Sequence, residues 1–350
     1  MKLVIAFILV TSFFYCAPLP QYKNSDHWDG ENFMNLNGSK TKSLGSVIKW
    51  LWTRQVPKMS AEDAQRFLPV RPKFDLPLKE KELRVTYINH STFILEYGRT
   101  RIITDPIFSE RASPFSWAGP KRYRATPIRL EDVPKLDFIF VSHNHYDHMD
   151  LPSLEFLLER DELWMLVPKG NRKYFSMRNQ KKILELDWGQ TFKLASHHME
   201  VMLTAAQHWS SRKLFDRNES LWAGAAIHFE GLRGKIFFAG DTGYDELLND
   251  WILKNVSEIQ LSFLPIGAYK PQWFMNTNHL SPYDAIKMSE AIRSKNNVAM
   301  HFGTFPLADD GIWEAVDDLN KLLETKKKNK QEDYHFKIPV QGEQWTMLLQ

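Results

Sequence analysis

Phe138-Ile139-Phe140-Val141-Ser142-His143-Asn144-His145-Tyr146-Asp147-His148 joins a short apolar run to a loop crowded with imidazoles and a carboxylate. An unbroken apolar run of this length, bounded by polar residues, reads as a strand buried on both faces. The H-x-H-x-D-H cluster leaves that strand at once. In extended backbone His143 and His145, two positions apart, turn their side chains the same way. Asp147 and His148 lie past a turn and can face a neighbouring point. Imidazole and carboxylate are ligands that zinc accepts, at roughly 2.0–2.2 Å. Burying these groups together with no cation to share would be very costly. The cluster therefore points to metal.

Such a cluster supplies two half-sites, and each needs completion from elsewhere. Val201-Met202-Leu203-Thr204 leads through Ala205-Ala206-Gln207 to His208. Ile236-Phe237-Phe238-Ala239-Gly240 ends at Asp241, and Val298-Ala299-Met300 ends at His301. Ligands of sheet proteins gather just beyond strand ends, so the repeated pattern of apolar run and then ligand is geometrically consistent. The expected arrangement places His143, His145 and His208 on one ion and Asp147, His148 and His301 on the other, with Asp241 between them. Asp105, ending Ile102-Ile103-Thr104, is a candidate carboxylate for orienting a ligand histidine. His27, His90, His197, His198, His228 and His335 read as ordinary hydrogen-bonded histidines.

Two ions about 3.5–4 Å apart can share a hydroxide, orient a substrate and stabilise a leaving oxygen, which is hydrolytic chemistry. Asp147 could also accept a hydrogen bond from that hydroxide. A serine or cysteine triad is not offered: Cys16 is the only cysteine, and no G-x-S-x-G is present.

The wider chain is of ordinary globular composition, 43% hydrophobic and 25% charged over 350 residues. Its net charge of +3 gives no global field calling for nucleic acid. Residues 1–20 read as a signal-like apolar leader, too short to span a bilayer comfortably. An uncleaved anchor or a buried arm are the alternatives, and a secretory or endomembrane location follows if the leader acts as a signal. Residues 21–80 form an irregular arm containing Ser46–Arg54, where Trp50 and Trp52 among basic residues suit a membrane-contact helix or a packing helix. Residues 81–350 carry the regular pattern expected of one catalytic domain. Strands are expected over 83–88, 92–97, 101–104, 137–141, 163–167, 201–204, 222–229, 236–239, 261–265 and 298–300. A helix is expected over 151–159. Another opens at Ser281-Pro282-Tyr283-Asp284, a serine cap followed by proline and an acidic residue. Strands first and alternating elements later suit an α/β arrangement of two sheets flanked by helices.

The ligand pattern resembles the metallo-β-lactamase superfamily. Longer strings resemble, within it, the N-acylphosphatidylethanolamine-hydrolysing phospholipases D. These include Thr104-Asp105-Pro106-Ile107-Phe108, Gly119-Pro120-Lys121-Arg122, Gln207-His208-Trp209, Ala239-Gly240-Asp241-Thr242-Gly243-Tyr244 and Trp273-Phe274-Met275. The resemblance implies an αββα sandwich, two Zn2+ ions, a homodimer and peripheral membrane association. It also implies cleavage of the phosphodiester of N-acylphosphatidylethanolamine, a membrane phospholipid, to N-acylethanolamine and phosphatidic acid. The family's zinc ligands fall on His143, His145, Asp147, His148, His208, Asp241 and His301. A further active-site histidine falls on His279, giving Asp147 and His279 as catalytic candidates, with Tyr146 and Asn278 as substrate contacts. Asn278 stands where the family has glutamine, and Glu110 and Trp117 also depart from it, which leaves acyl-chain and head-group preference open. Competing readings keep the metals but act on a soluble ester, lactone or thioester, place redox-active iron in the site, or bind lipid without catalysis.

Overall fold

A computed structural model describes residues 22, 24–38, 42–328 and 335–348. The leader at 1–20 lies outside the described residues. Among those described, fourteen strands form two sheets of seven. The first sheet contains β1 (Glu82–Asn89), β2 (Thr92–Tyr97), β3 (Thr100–Thr104), β4 (Phe138–Phe140), β5 (Trp164–Pro168) and β6 (Ile183–Leu186). The second contains β7 (Thr191–Leu194), β8 (Met199–Thr204), β9 (Gly224–Phe229), β10 (Lys235–Phe238), β11 (Ile259–Pro265), β12 (Asn296–Met300) and β13 (His335–Lys337). A last strand, β14 (Gln344–Leu348), returns to the first sheet and pairs antiparallel with β1.

The two sheets meet through aromatic rings from alternate positions of their central strands. Phe93 of β2 reaches Phe263 of β11 with ring centroids 4.6 Å apart, and Phe140 meets Phe238 edge-on at 5.8 Å. All four are fully buried. The opposite face of the first sheet carries Ile94, Ile103, Ile139 and Val141, covered by Leu154, Leu157 and Leu158 of α3 (Leu151–Arg160). Period-2 alternation in the strands and helical spacing in α3 thus select the same layer. On the second sheet, α6 (Pro282–Ala291) lies against β11, and α7 (Glu314–Lys328) lies against α6. The sheets and flanking helices make the α/β sandwich expected.

The Ser281 cap forms as its residues dictate. Ser281 Oγ accepts from the Asp284 amide, and Asp284 Oδ2 accepts from the Ser281 amide, both at 3.2 Å. Strand Gly224–Phe229 starts two residues later than expected, because Trp222 turns its indole N–H to the Ala206 carbonyl and the Asn35 side chain. The sequence reading offered no strand for β6, β7, β13 or β14. These are sheet-edge strands or neighbours of edges, half exposed, with no apolar run to betray them. The arm holds α1 (Leu44–Thr53) and α2 (Ala61–Gln65), and Phe33 reaches the main core.

Phe263→Ala removes the ring that joins the sheets. It is expected to cost about 3–5 kcal/mol, the range for a buried Phe-to-Ala change, measured by urea unfolding. A loss below about 1 kcal/mol would mean that the sheets do not depend on this contact.

Candidate metal centre

Strands β3 and β4 are parallel, as are β10, β11 and β12. Strand β8 shares the direction of β10, since both run antiparallel to β9. The C-terminal ends of these strands therefore gather on one side. Asp105 follows β3 directly, His301 follows β12 directly, and His143, Asp241 and His208 come within four residues of β4, β10 and β8. Gly240, at φ +63°, delivers Asp241; a Cβ there would meet the Ala223 carbonyl oxygen at 2.8 Å.

His143 Nε2 lies 2.8 Å from His145 Nδ1, which lies 3.2 Å from His208 Nε2. The opposite nitrogens of His143 and His208 are already engaged, while His145 Nε2 is buried without a partner. His208 Nδ1 donates to the Asn278 carbonyl at 2.9 Å, and His143 Nδ1 lies 2.9 Å from Ser142 Oγ. The three remaining nitrogens converge on one point, and one cation there would satisfy them all. Ligands about 2.1 Å from a tetrahedral ion stand about 3.4 Å apart, close to these spacings.

The second group is built around carboxylates. His148 Nε2 is 3.3 Å from both Asp147 Oδ2 and Asp241 Oδ2. His301 Nε2 is 3.3 Å from Asp147 Oδ2 and 3.1 Å from Asp241 Oδ2. Asp241 Oδ2 also comes within 3.9 Å of His208 Nε2, so it stands between the two groups. Asp105 takes the Ser142 amide at 2.7 Å and its hydroxyl at 2.6 Å, and receives His148 Nδ1 at 2.7 Å. That bond sets the tautomer that leaves His148 Nε2 free for a metal. His148 Nε2 and Asp241 Oδ1 are buried without a hydrogen-bond partner. The donor set, its spacing and these two atoms fit a pair of divalent cations.

Electrostatics agree for the histidine group, whereas the carboxylates of Asp241 and Asp147 raise His148 and His301, overcoming their burial. Burial pushes the imidazoles of His145 and His208 down to about 3 and about 4, and holds His143 and His279 well below their ordinary value. All four are neutral at pH 7, with lone pairs available. Burial would raise Asp147 and Asp241, but the surrounding imidazoles overcome it and keep both carboxyls ionised.

One residue that the sequence reading set aside belongs here. His90 Nε2 donates to Asp147 Oδ2 at 2.9 Å, and its ring lies 4.0 Å from that of His301. The His301 amide donates to the His90 carbonyl at 2.9 Å. His90 follows β1 directly, the same strand-end signal that marked the other ligands. His90, Asp105 and His301 all adopt left-handed backbone, at φ +50°, +36° and +61°. Non-glycine residues hold such angles at a cost of order 1–3 kcal/mol each, a feature concentrated at functional sites.

The other assigned residues divide. A cleft of about 650 Å³ opens over the centre, lined by His145, Asp147, Asp241, Tyr146 and His279 among others. Tyr146 donates to the Arg212 carbonyl at 2.7 Å. His279 Nδ1 stands 3.8 Å from Asp241 Oδ2. Asn278 is absent from the cleft lining: its carbonyl fixes His208 while its side chain meets Thr277 Oγ1. Trp52 is 90% exposed. Trp50, half-buried, stacks on Phe274, centroids 4.9 Å apart and planes 9° from parallel.

An apolar sandwich with this centre defines a metal-dependent hydrolase. Residues 100–302 match the family model described as a beta-lactamase superfamily domain. The chain is 34% identical over 277 residues to N-acyl-phosphatidylethanolamine-hydrolyzing phospholipase D 1 of Caenorhabditis elegans, covering 76% of each protein. It is 35% identical over 242 residues to the mitochondrial N-acyl-phosphatidylethanolamine-hydrolyzing phospholipase D of Saccharomyces cerevisiae, covering 68% of this chain and 51% of that one. Among solved structures, a metallo hydrolase of Ignicoccus hospitalis superposes with TM-score 0.54 at 22% identity, covering 76% of this chain and 98% of its own. The chain belongs to the beta-lactamase superfamily and, within it, to the N-acylphosphatidylethanolamine-hydrolysing phospholipase D family.

His90→Ala should weaken metal binding in the carboxylate group by about 10–100-fold, the scale for a lost partner of a ligand, read by chelator competition. Unchanged affinity would reduce His90 to a packing residue.

Proposed function

We propose that this chain is a di-zinc phosphodiesterase of phospholipase D type, hydrolysing N-acylphosphatidylethanolamine to N-acylethanolamine and phosphatidic acid. The observation that carries the reading is the convergence of seven ligand side chains beneath a cleft whose rim is apolar, in a chain with relatives named for that reaction. Zinc ions held by His143, His145 and His208 and by Asp147, His148 and His301, with Asp241 shared, would supply an activated water and charge stabilisation for the leaving oxygen.

The chain's own groups do the remaining work. Asp147, fixed by His90 through Oδ2, lines the cleft and is held ionised, so it can accept a hydrogen bond from a water nucleophile and orient it. His279 is neutral and faces the same space, placed to hydrogen-bond the phosphodiester or the departing alcohol. Trp209 packs its ring 4.3 Å from His145 and walls off one side of the centre from water.

The rim also supports a bilayer-borne substrate. Phe115 and Leu214 line the cleft mouth, and Leu214 and Phe215 are 91% and 92% exposed. Trp52 belongs to α1, which is docked through Trp50 onto Phe274, next to the cleft residue Met275. No described helix is long and apolar enough to cross a membrane. We take these side chains as a peripheral contact that lets lipid enter without leaving the bilayer.

The test is turnover of N-acylphosphatidylethanolamine vesicles with products followed by mass spectrometry. His145→Ala and Asp147→Ala should each lower turnover by at least about 100-fold, and a chelator should abolish it. Chelator-insensitive release, or activity confined to soluble esters by a metal-loaded protein, would sink the proposal. Replacing Trp52, Leu214 and Phe215 together by Ser should cut vesicle binding at least about tenfold, since one buried large apolar side chain is worth about 1.5–3 kcal/mol. Unchanged binding would remove the membrane role of this rim.

A further inference from the structure

His208 lies four residues beyond β8, where no neighbouring strand pairs with its backbone. Its amide and carbonyl are nevertheless both engaged, by one side chain 173 residues earlier in the sequence. The His208 amide donates to Asn35 Oδ1 at 3.0 Å, and Asn35 Nδ2 donates to the His208 carbonyl at 2.9 Å. Asn35 Oδ1 also accepts from Trp222 Nε1 at 3.1 Å. The carboxamide thus imitates the edge of a strand, offering one acceptor and one donor to a single residue. Asn35 is buried, so water does not replace these bonds when they are lost.

The arm around Asn35 is itself fastened. The Phe33 amide donates to the Asn218 carbonyl at 2.8 Å, and the Asn218 side chain accepts the Ser210 amide at 3.1 Å. Phe33 is buried in the main core, with Trp28 packed on it at 4.8 Å. The arm therefore holds both ends of the segment that runs from His208 past the cleft residues Ser211–Leu214. The arm residues Trp28, Phe33 and Asn35 lie outside the matched domain at 100–302, whereas the segment they hold lies within it.

We propose that Asn35 is a positioning residue of the metal centre, fixing the main chain of His208 while the Asn278 carbonyl fixes its ring. The proposal rests on the reading that His143, His145 and His208 hold one ion. An imidazole gripped at its backbone and at Nδ1 has one orientation left, the one that presents Nε2 to His143 and His145. Without Asn35, His208 gains backbone freedom, and the ion in its group loses a fixed ligand.

The experiment compares the full chain with Asn35→Ala and with Phe33→Leu, an arm substitution that does not touch His208. Zn2+ is titrated against a chromophoric chelator, and the Co2+-substituted proteins are examined by visible absorption. Asn35→Ala is expected to lose about 10–100-fold in affinity for one of two ions, with an altered Co2+ spectrum. Phe33→Leu should keep wild-type affinity even where its melting temperature falls. Asn35→Ser, which keeps a polar atom nearby but too short to reach both the His208 amide and carbonyl, serves the same comparison where Asn35→Ala does not fold. Two ions bound by the Asn35 variant with wild-type affinity and spectrum would overturn the proposal, as would an equal loss in Phe33→Leu. A wild-type chain binding fewer than two ions would remove the two-ion reading itself, and the inference with it.

Discussion

Two ionised carboxylates sit side by side in the interior, and the surrounding architecture answers to that fact. Asp147 and Asp241 each place an oxygen 3.3 Å from His148 Nε2, away from bulk water. Such charges persist in a protein interior only when paired, hydrogen-bonded or metal-bound. The parallel strand ends bring imidazoles to them, the sandwich excludes solvent, and Asp105 and His90 orient the groups in between. Removing any one of these supports leaves charge without compensation, which is why so many elements terminate at the same spot.

The centre uses backbone strain as part of its construction. His90 and His301 both adopt left-handed angles, and the His301 amide bonds the His90 carbonyl. Each fixes the other's backbone where its strand ends. An extended chain would carry these side chains onward along the strand direction, whereas the abrupt turn keeps the rings 4.0 Å apart over Asp147. The surrounding packing holds a conformation that neither residue would choose alone.

Much of this was legible in the sequence because the relevant signals are local. A buried strand announces itself as an apolar run, and a ligand placed just after it inherits a predictable position; β4, β8, β10 and β12 all obeyed that rule. The Ser281 cap was readable for the same reason, its partners lying three residues apart. What escaped depends on contacts remote in sequence. β14 is defined by pairing with β1, and its own residues, half exposed, show no clear pattern. His90 follows a strand like the other ligands but is recognisable only beside Asp147, 57 residues away. Trp50 and Trp52, two positions apart in one helix, looked equivalent until Phe274 was seen to take one of them.

The two groups of ligands are unevenly spread along the chain. The histidine group draws on residues 143 to 208, whereas the carboxylate group also requires His301, near the end. A ribosome delivers the chain from its N-terminus, so the first group is complete in covalent terms well before the second can exist. Asn35, which holds His208 in the finished fold, precedes both groups in the sequence. Between residues 208 and 301 the growing chain holds all three imidazoles of the first group but still lacks the last ligand of the second. The order of synthesis thus gives the two ligand groups different histories within one molecule, although in the finished fold Asp241 stands between them.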